Sequence, residues 1–122
     1  MITFDSLERH EKAWGYELWI HNDEKYCGKI LHFREGGKFS MHFHLKKHET
    51  WYVSKGRFVL RTIDPINAEK FEYRIGCGEA VEIPQGHPHQ LIALEESEIF
   101  EVSTQHFEDD SYRIEKGDSQ YE

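Results

Sequence analysis

Four residues of this chain have the types and the spacing to converge on one ion. His42 and His44 stand two apart, so on an extended strand both imidazoles leave the same face with Cα atoms about 7 Å apart. Glu49 follows the Lys46-Lys47-His48 turn, where it opens the returning antiparallel strand and can add a carboxylate oxygen. His89 comes after Pro84-Gln85-Gly86-His87-Pro88, a rigid turn that starts another strand. Three imidazoles and one carboxylate form a borderline donor set suited to one divalent transition metal ion: Zn, Mn, Fe, Ni or Co. With six-coordination, two positions stay open for water or substrate, as Lewis-acid chemistry requires.

Such a site needs short, rigid elements behind it, and the chain supplies them. Segments rich in β-branched and aromatic residues predict strands over 17–20, 26–34, 40–45, 49–55, 58–63, 70–75, 80–83, 89–94 and 99–104. Gly36-Gly37, Lys55-Gly56, Asp64-Pro65, Gly76 with Gly78, and Pro84-Gln85-Gly86 punctuate them. Residues 64–69 read as a hairpin loop. No stretch keeps a helical apolar period for three turns. The expectation is an all-β sandwich or barrel. Residues 1–13 read as a polar arm, either a helical turn or an extended segment. From about residue 114 the chain turns polar and acidic and is expected to be loosely held.

At 122 residues the chain is one domain, long enough to bury a core. Three Trp, six Tyr and eight Phe argue against disorder. Fifteen Lys and Arg against 23 Asp and Glu leave a net charge of −8, without the basic stripe that a phosphate-backbone binder carries, so nucleic acid is not an expected partner. No apolar run approaches about 20 residues, and the first residues lack a basic segment followed by an apolar one, so neither membrane nor export is expected. Cys27 and Cys77 lie far apart without metal-type spacing and read as reduced thiols, which points to a cytoplasmic location.

The full spacing carries more than its parts. Gly36, five residues, His42, one, His44, four, Glu49, six, Gly56 reproduces every fixed position of the first cupin motif. Gly78, five, Pro84, one, Gly86, two, His89 reproduces the second, with Ala93 in place of its final Asn. The chain therefore resembles the cupin superfamily. That resemblance implies a single-domain double-stranded β-helix, a jelly-roll barrel with the metal held inside by His42, His44, Glu49 and His89.

A narrower resemblance spans nearly the whole chain. Lys12-Ala13-Trp14-Gly15-Tyr16-Glu17 is similar to the K-P-W-G-x-E opening of type II mannose-6-phosphate isomerase cupins. Gly28-Lys29-Ile30-Leu31, Glu49-Thr50-Trp51-Tyr52-Val53 and the closing Glu101-Val102-Ser103-Thr104-Gln105 with Glu108-Asp109-Asp110 and Arg113 follow in order. Lys47 stands where that family carries Arg, and Thr50 where it carries His. The resemblance implies a metal-dependent sugar-phosphate isomerase or epimerase of carbohydrate metabolism, with Glu49 or His48 moving the proton and His87 a further rim candidate. Phosphate recognition would draw on Lys29, Arg34, Lys46 and Lys47, though Lys29 and Arg34 differ by an odd number and cannot both face inward. Trp51 and Val53 share the parity of Glu49 and face the interior, Trp51 as core or substrate platform. Trp14 and Trp19 are expected to pack the N-terminal arm on a neighbouring strand or second subunit. A homodimer sharing edge strands is expected. The same ligand set equally suits an Fe(II) oxygenase, and a non-catalytic sugar-binding cupin is the third alternative.

Overall fold

The computed structural model describes residues 1–120 and is built of strands. In chain order they are β1 (Glu8–Lys12), β2 (Gly15–Asn22), β3 (Cys27–Phe33), β4 (Met41–Phe43), β5 (Glu49–Lys55), β6 (Arg57–Ile63), β7 (Lys70–Gly76), β8 (Ala80–Ile83), β9 (His89–Ala93), β10 (Ser97–Ser103) and β11 (Tyr112–Glu115). A 3-10 turn, Asp118–Gln120, follows. The strands form two antiparallel sheets, β1-β2-β3-β10-β5-β8 and β11-β4-β9-β6-β7, whose facing sides enclose the core. This is the all-β arrangement expected from the strand spacing, in the jelly-roll form that the resemblance implied.

Alternation along the strands decides which side chains meet inside. On β5, Glu49, Trp51 and Val53 are buried; on β6, Phe58, Leu60 and Thr62; on β10, Ser97, Ile99 and Glu101. Toward one end of the barrel the inward positions are apolar, and Phe33, Phe58, Leu91, Val53 and Ile99 close it. Toward the other end they turn polar, with Lys29, His44, Glu49, His89 and Glu101 all buried. The site therefore occupies one end of a barrel whose other end is solid.

Two glycines make this geometry possible. Gly15 has φ of +151°, and a Cβ there would meet the His32 carbonyl oxygen, so only glycine lets β2 cross β3 at this point. Gly56 turns the chain from the first sheet to the second at φ +82°, pressed against the Ser97 hydroxyl. The loop over residues 64–69 joins β6 to β7 as expected.

Within residues 1–13 the chain takes the extended option, whereas the segment from about residue 114 departs from the sequence expectation. Glu8–Lys12 is an edge strand, paired with β2 from Glu8–Trp19 to Lys12–Gly15. Trp14, expected to pin an arm, is instead in the core, stacked on Phe33 with ring centroids 4.5 Å apart. Trp19 does pack the arm, stacking on His10 of β1 at 4.3 Å. The polar segment from about residue 114, expected to be loosely held, is docked: β11 runs along β4, and Glu115 pairs with Met41. Asp118 then accepts from the Arg34 guanidinium at 3.0 Å and from Lys38 N–H at 3.1 Å. Burial does not hold β11, whose side chains are mostly exposed; the open hydrogen-bonding edge of β4 does.

Candidate metal centre

β4 and β9 are neighbours in the second sheet, and their register places His42 directly opposite His89. His44, the residue just past the end of β4, turns its ring into the same cluster. The three rings gather at centroid separations of 4.7 Å (His42–His89), 5.0 Å (His42–His44) and 5.4 Å (His44–His89). One nitrogen from each lies within 4.8 Å of the others. Each ring is oriented from behind by a main-chain carbonyl. Nδ1–H of His42 donates to Ser40 O at 2.7 Å, that of His44 to Asp110 O at 2.6 Å, and that of His89 to His87 O at 2.9 Å. With Nδ1 so used, Nε2 is left as a lone pair in all three, the tautomer a metal ligand needs.

The imidazoles are held neutral. Burial, then the neighbouring His44, pushes His42 down to about 3. Burial and His42 push His89 well below the ordinary value, and burial and Lys47 lower His44. Neutral imidazoles bind a cation without first releasing a proton.

Glu49 stands beside this trio. Trp51 Nε1 donates to its Oε1 at 2.6 Å. Oε2 has no hydrogen-bond partner although it is buried; it lies 3.4 Å from His44 Nε2 and 3.7 Å from Lys47 Nζ. Burial, then the like charge of Glu101, lifts its carboxyl to about 7. An unpartnered buried oxygen is costly, and a cation between it and three imidazole lone pairs removes that cost. The donor set thus fits a divalent metal on this chain's own geometry.

A second charged group lies behind Glu49. Lys47 Nζ bonds Glu101 Oε2 at 3.0 Å, and both side chains are about 4% exposed. Burial pushes the Lys47 ammonium down, but Glu101 and Glu49 outweigh it and hold it above its ordinary value. Burial likewise pushes Glu101 up, and Lys47 and Lys29 outweigh it, holding the carboxyl at about 2. Lys29 lies 4.1 Å above the Trp19 ring and 3.5 Å from Glu17, whose Oε1 also accepts from Trp19 Nε1 at 2.9 Å. These groups and the three histidines line one cavity of about 280 Å³.

Of the residues singled out from sequence, His42, His44, Glu49, His89, Lys29, Lys47 and Trp51 all line this cavity. Arg34 and His48 do not. The Arg34 guanidinium is exposed and engaged with Ala13 O and Asp118, so it is the exterior member of the odd-numbered pair. His48 faces outward, its Nε2 2.8 Å from Glu82, because it falls off the inward parity of β5. A proton-transfer role for His48 is not compatible with that position. Lys46 sits at the surface over the Phe107 ring. Sequence reasoning missed Glu101, Glu17 and His106 as lining residues. Glu101 had a signal: it shares parity with Ile99, and the register sets it opposite both Lys29 and Trp51.

The buried imidazoles fix a pH dependence. In His42, His44, His89 and His106 the folded state binds protons less readily than the unfolded chain, with His42 and His106 at about 3. Stability is therefore intact above about pH 6.5 and is lost as pH falls from there, by on the order of 1 kcal/mol per imidazole per pH unit. Glu49, raised to about 7, works the other way between pH 7 and 4.5, but it is one group against four. Metal-free protein is expected to show a lower urea midpoint at pH 5.5 than at pH 7.5; an equal or higher midpoint contradicts this.

A family model described as cupin matches residues 16–115. The fold is similar to that of oxalate decarboxylase from Bacillus subtilis, with a TM-score of 0.79 and 21% identity over 93% of this chain and 31% of that one. It is also similar to the capsular polysaccharide assembling protein CapF from Staphylococcus aureus, with a TM-score of 0.77 and 21% identity over 92% of this chain and 33% of that one. The chain thus spans about a third of each neighbour, and at this identity the likeness is one of fold. No curated protein sequence matches.

Proposed function

The chain belongs to the cupin family, and on that premise we propose that it is a metal-dependent isomerase or epimerase of a small sugar or sugar phosphate. The observation that carries the reading is the donor set: three imidazole nitrogens oriented by main-chain carbonyls, beside a buried Glu49 oxygen with no partner. His42, His44 and His89 would hold the ion, with Glu49 Oε2 as the fourth donor. A divalent cation there supplies Lewis-acid charge to a carbonyl and its adjacent hydroxyl.

The chain's own groups do the rest. Glu49 would move the proton only by exchanging roles: with Oε1 held by Trp51 Nε1, Oε2 would leave the ion as substrate binds, take a proton from the carbon beside the carbonyl and return it to the neighbouring one. The Lys47 ammonium, 3.7 Å from that oxygen, stabilises the carboxylate before transfer. Lys29, Lys47 and Glu101 on the facing wall offer donors and acceptors to sugar hydroxyls. Both lysines are already paired with carboxylates, and the third lysine lining the cavity, Lys12, sits at its exposed rim, so the wall beside Glu49 offers nothing comparable to an arginine clamp on phosphate among the described residues. For that reason the substrate class includes free aldoses and ketoses as well as the phosphate esters suggested by the type II mannose-6-phosphate isomerase resemblance.

Bacillus subtilis oxalate decarboxylase has Mn(II) centres, which makes Mn(II) the first ion to load. Protein loaded in turn with Mn(II), Fe(II), Co(II), Ni(II) and Zn(II) is incubated in D2O with mannose 6-phosphate, mannose, glucose and fructose. Deuterium incorporation beside the carbonyl, read by NMR, is the expected result. No exchange with any substrate under any ion contradicts the isomerase reading.

A further inference from the structure

Resting on the metal reading above, we infer that Asp110 is a positioning residue for the metal site, acting on His44 through both its main chain and its side chain. Asp110 lies between β10 and β11, more than sixty residues from His44 in the chain, and is buried. Its carbonyl oxygen accepts the Nδ1–H of His44 at 2.6 Å. Its carboxylate accepts three consecutive main-chain N–H groups: Leu45 at 2.9 Å, Lys46 at 3.1 and 3.2 Å to the two oxygens, and Lys47 at 3.0 Å. One residue thus holds both the ring of a metal ligand and the turn that links this ligand to Glu49.

The arrangement has a mechanical logic. A carbonyl can orient an imidazole only if the carbonyl is itself fixed, and here the carboxylate of the same residue is the anchor. Three charge-assisted bonds tie it to the backbone immediately after His44. The Asp110 amide is fixed in turn by Phe107 O at 3.0 Å, and β11 then runs along β4. The same three bonds set the start of the Lys47 side chain, whose ammonium reaches Glu49 and Glu101. His42 and His89 take their carbonyls from residues two positions away in the chain, Ser40 and His87. His44 alone of the three depends on a distant segment, so its orientation is the one that a substitution there can release.

The test is a Co(II) titration of chelator-stripped full-length protein, followed by visible absorption, on wild type, D110A, D110N and S97A. S97A is the control: Ser97 is buried at the opposite end of β10, where its hydroxyl accepts from Arg57 N–H and donates to Glu95 O. D110A is expected to bind Co(II) about 10- to 100-fold more weakly, with an altered ligand-field spectrum. D110N keeps one acceptor oxygen and falls between D110A and wild type. S97A lowers the melting temperature and leaves affinity and spectrum unchanged. Wild-type affinity and spectrum in D110A overturn the proposal, as does an equal loss in S97A. Should D110A not fold, D110N decides: weaker binding with an altered spectrum supports the assignment, and wild-type values overturn it. A wild-type protein that binds no Co(II) overturns the metal reading and this inference together, and so is distinct from failure of the inference alone.

Discussion

His89→Ala is expected to bring the metal content of the purified protein close to zero while leaving a folded β protein. His89 is the most enclosed of the three imidazoles, at 1% exposure, and its ring packs against those of Trp51, Phe39 and His42. Alanine removes one donor of four, and the space it leaves lies among aromatic rings that cannot replace a nitrogen. Altering a group one bond removed from a metal costs about 10- to 100-fold in affinity, so loss of a ligand itself should cost more than about 100-fold. His42→Ala should behave alike, being opposite His89 in the ladder. His48→Ala is the internal control, because its ring pairs with Glu82 outside the cavity. Metal content by mass spectrometry, with circular dichroism on the same samples, reads the effect; unchanged occupancy in both cavity variants would show that the metal is held elsewhere.

The second large effect is on stability. Lys47→Met is expected to destabilise the metal-free fold by about 3–5 kcal/mol, the usual cost of removing one partner from a buried ion pair. The ammonium at 3.0 Å is the nearest cation to Glu101 and lies 3.7 Å from Glu49, and none of these side chains is more than 4% exposed. Without it two carboxylates face each other in the barrel, and Glu101, held at about 2 by the lysines, must take up a proton or remain desolvated. Adding Glu101→Leu should recover most of the loss, since an apolar pair in place of a buried ionic one is often neutral. Urea denaturation of the two variants at pH 7.5 tests this. A loss below about 1 kcal/mol for Lys47→Met alone, or no recovery in the double variant, contradicts the assigned pairing.

The strands that carry the metal ligands were legible because they alternate cleanly. Glu49, Trp51 and Val53 on β5 announce an inward face two residues at a time, and His42 on β4 with His44 just past its end keeps the same two-residue step. The motif spacing then tied His89 to them across forty residues. What remained hidden was held by forces that leave no apolar period. β1 and β11 are polar edge strands, fixed by main-chain pairing with β2 and β4 rather than by burial. Trp14 looked like an anchor for an arm because its position in the core depends on the close crossing at Gly15, a constraint only the fold reveals.

The inner wall shows the same limit. The sequence marks Lys47 as a phosphate-binding candidate and Glu101 only as part of a family-like closing segment, with no sign that the two form a buried pair. Their burial follows from strand parity together with a register that sets Lys29, Glu101 and Trp51 side by side across three strands. Asp110 stood out only as the last of the Glu108-Asp109-Asp110 run in the family-like closing segment, with no sign of a role, and its hold on His44 exists only once the end of the chain folds back on β4.

Anomalous diffraction from crystals of the zinc-loaded protein tests the central claim most directly. The account predicts one strong peak bonded to Nε2 of His42, His44 and His89 and to Oε2 of Glu49, at about 2.0–2.2 Å from each. A peak among surface carboxylates, ligation through Nδ1, or no peak in the cavity would contradict it.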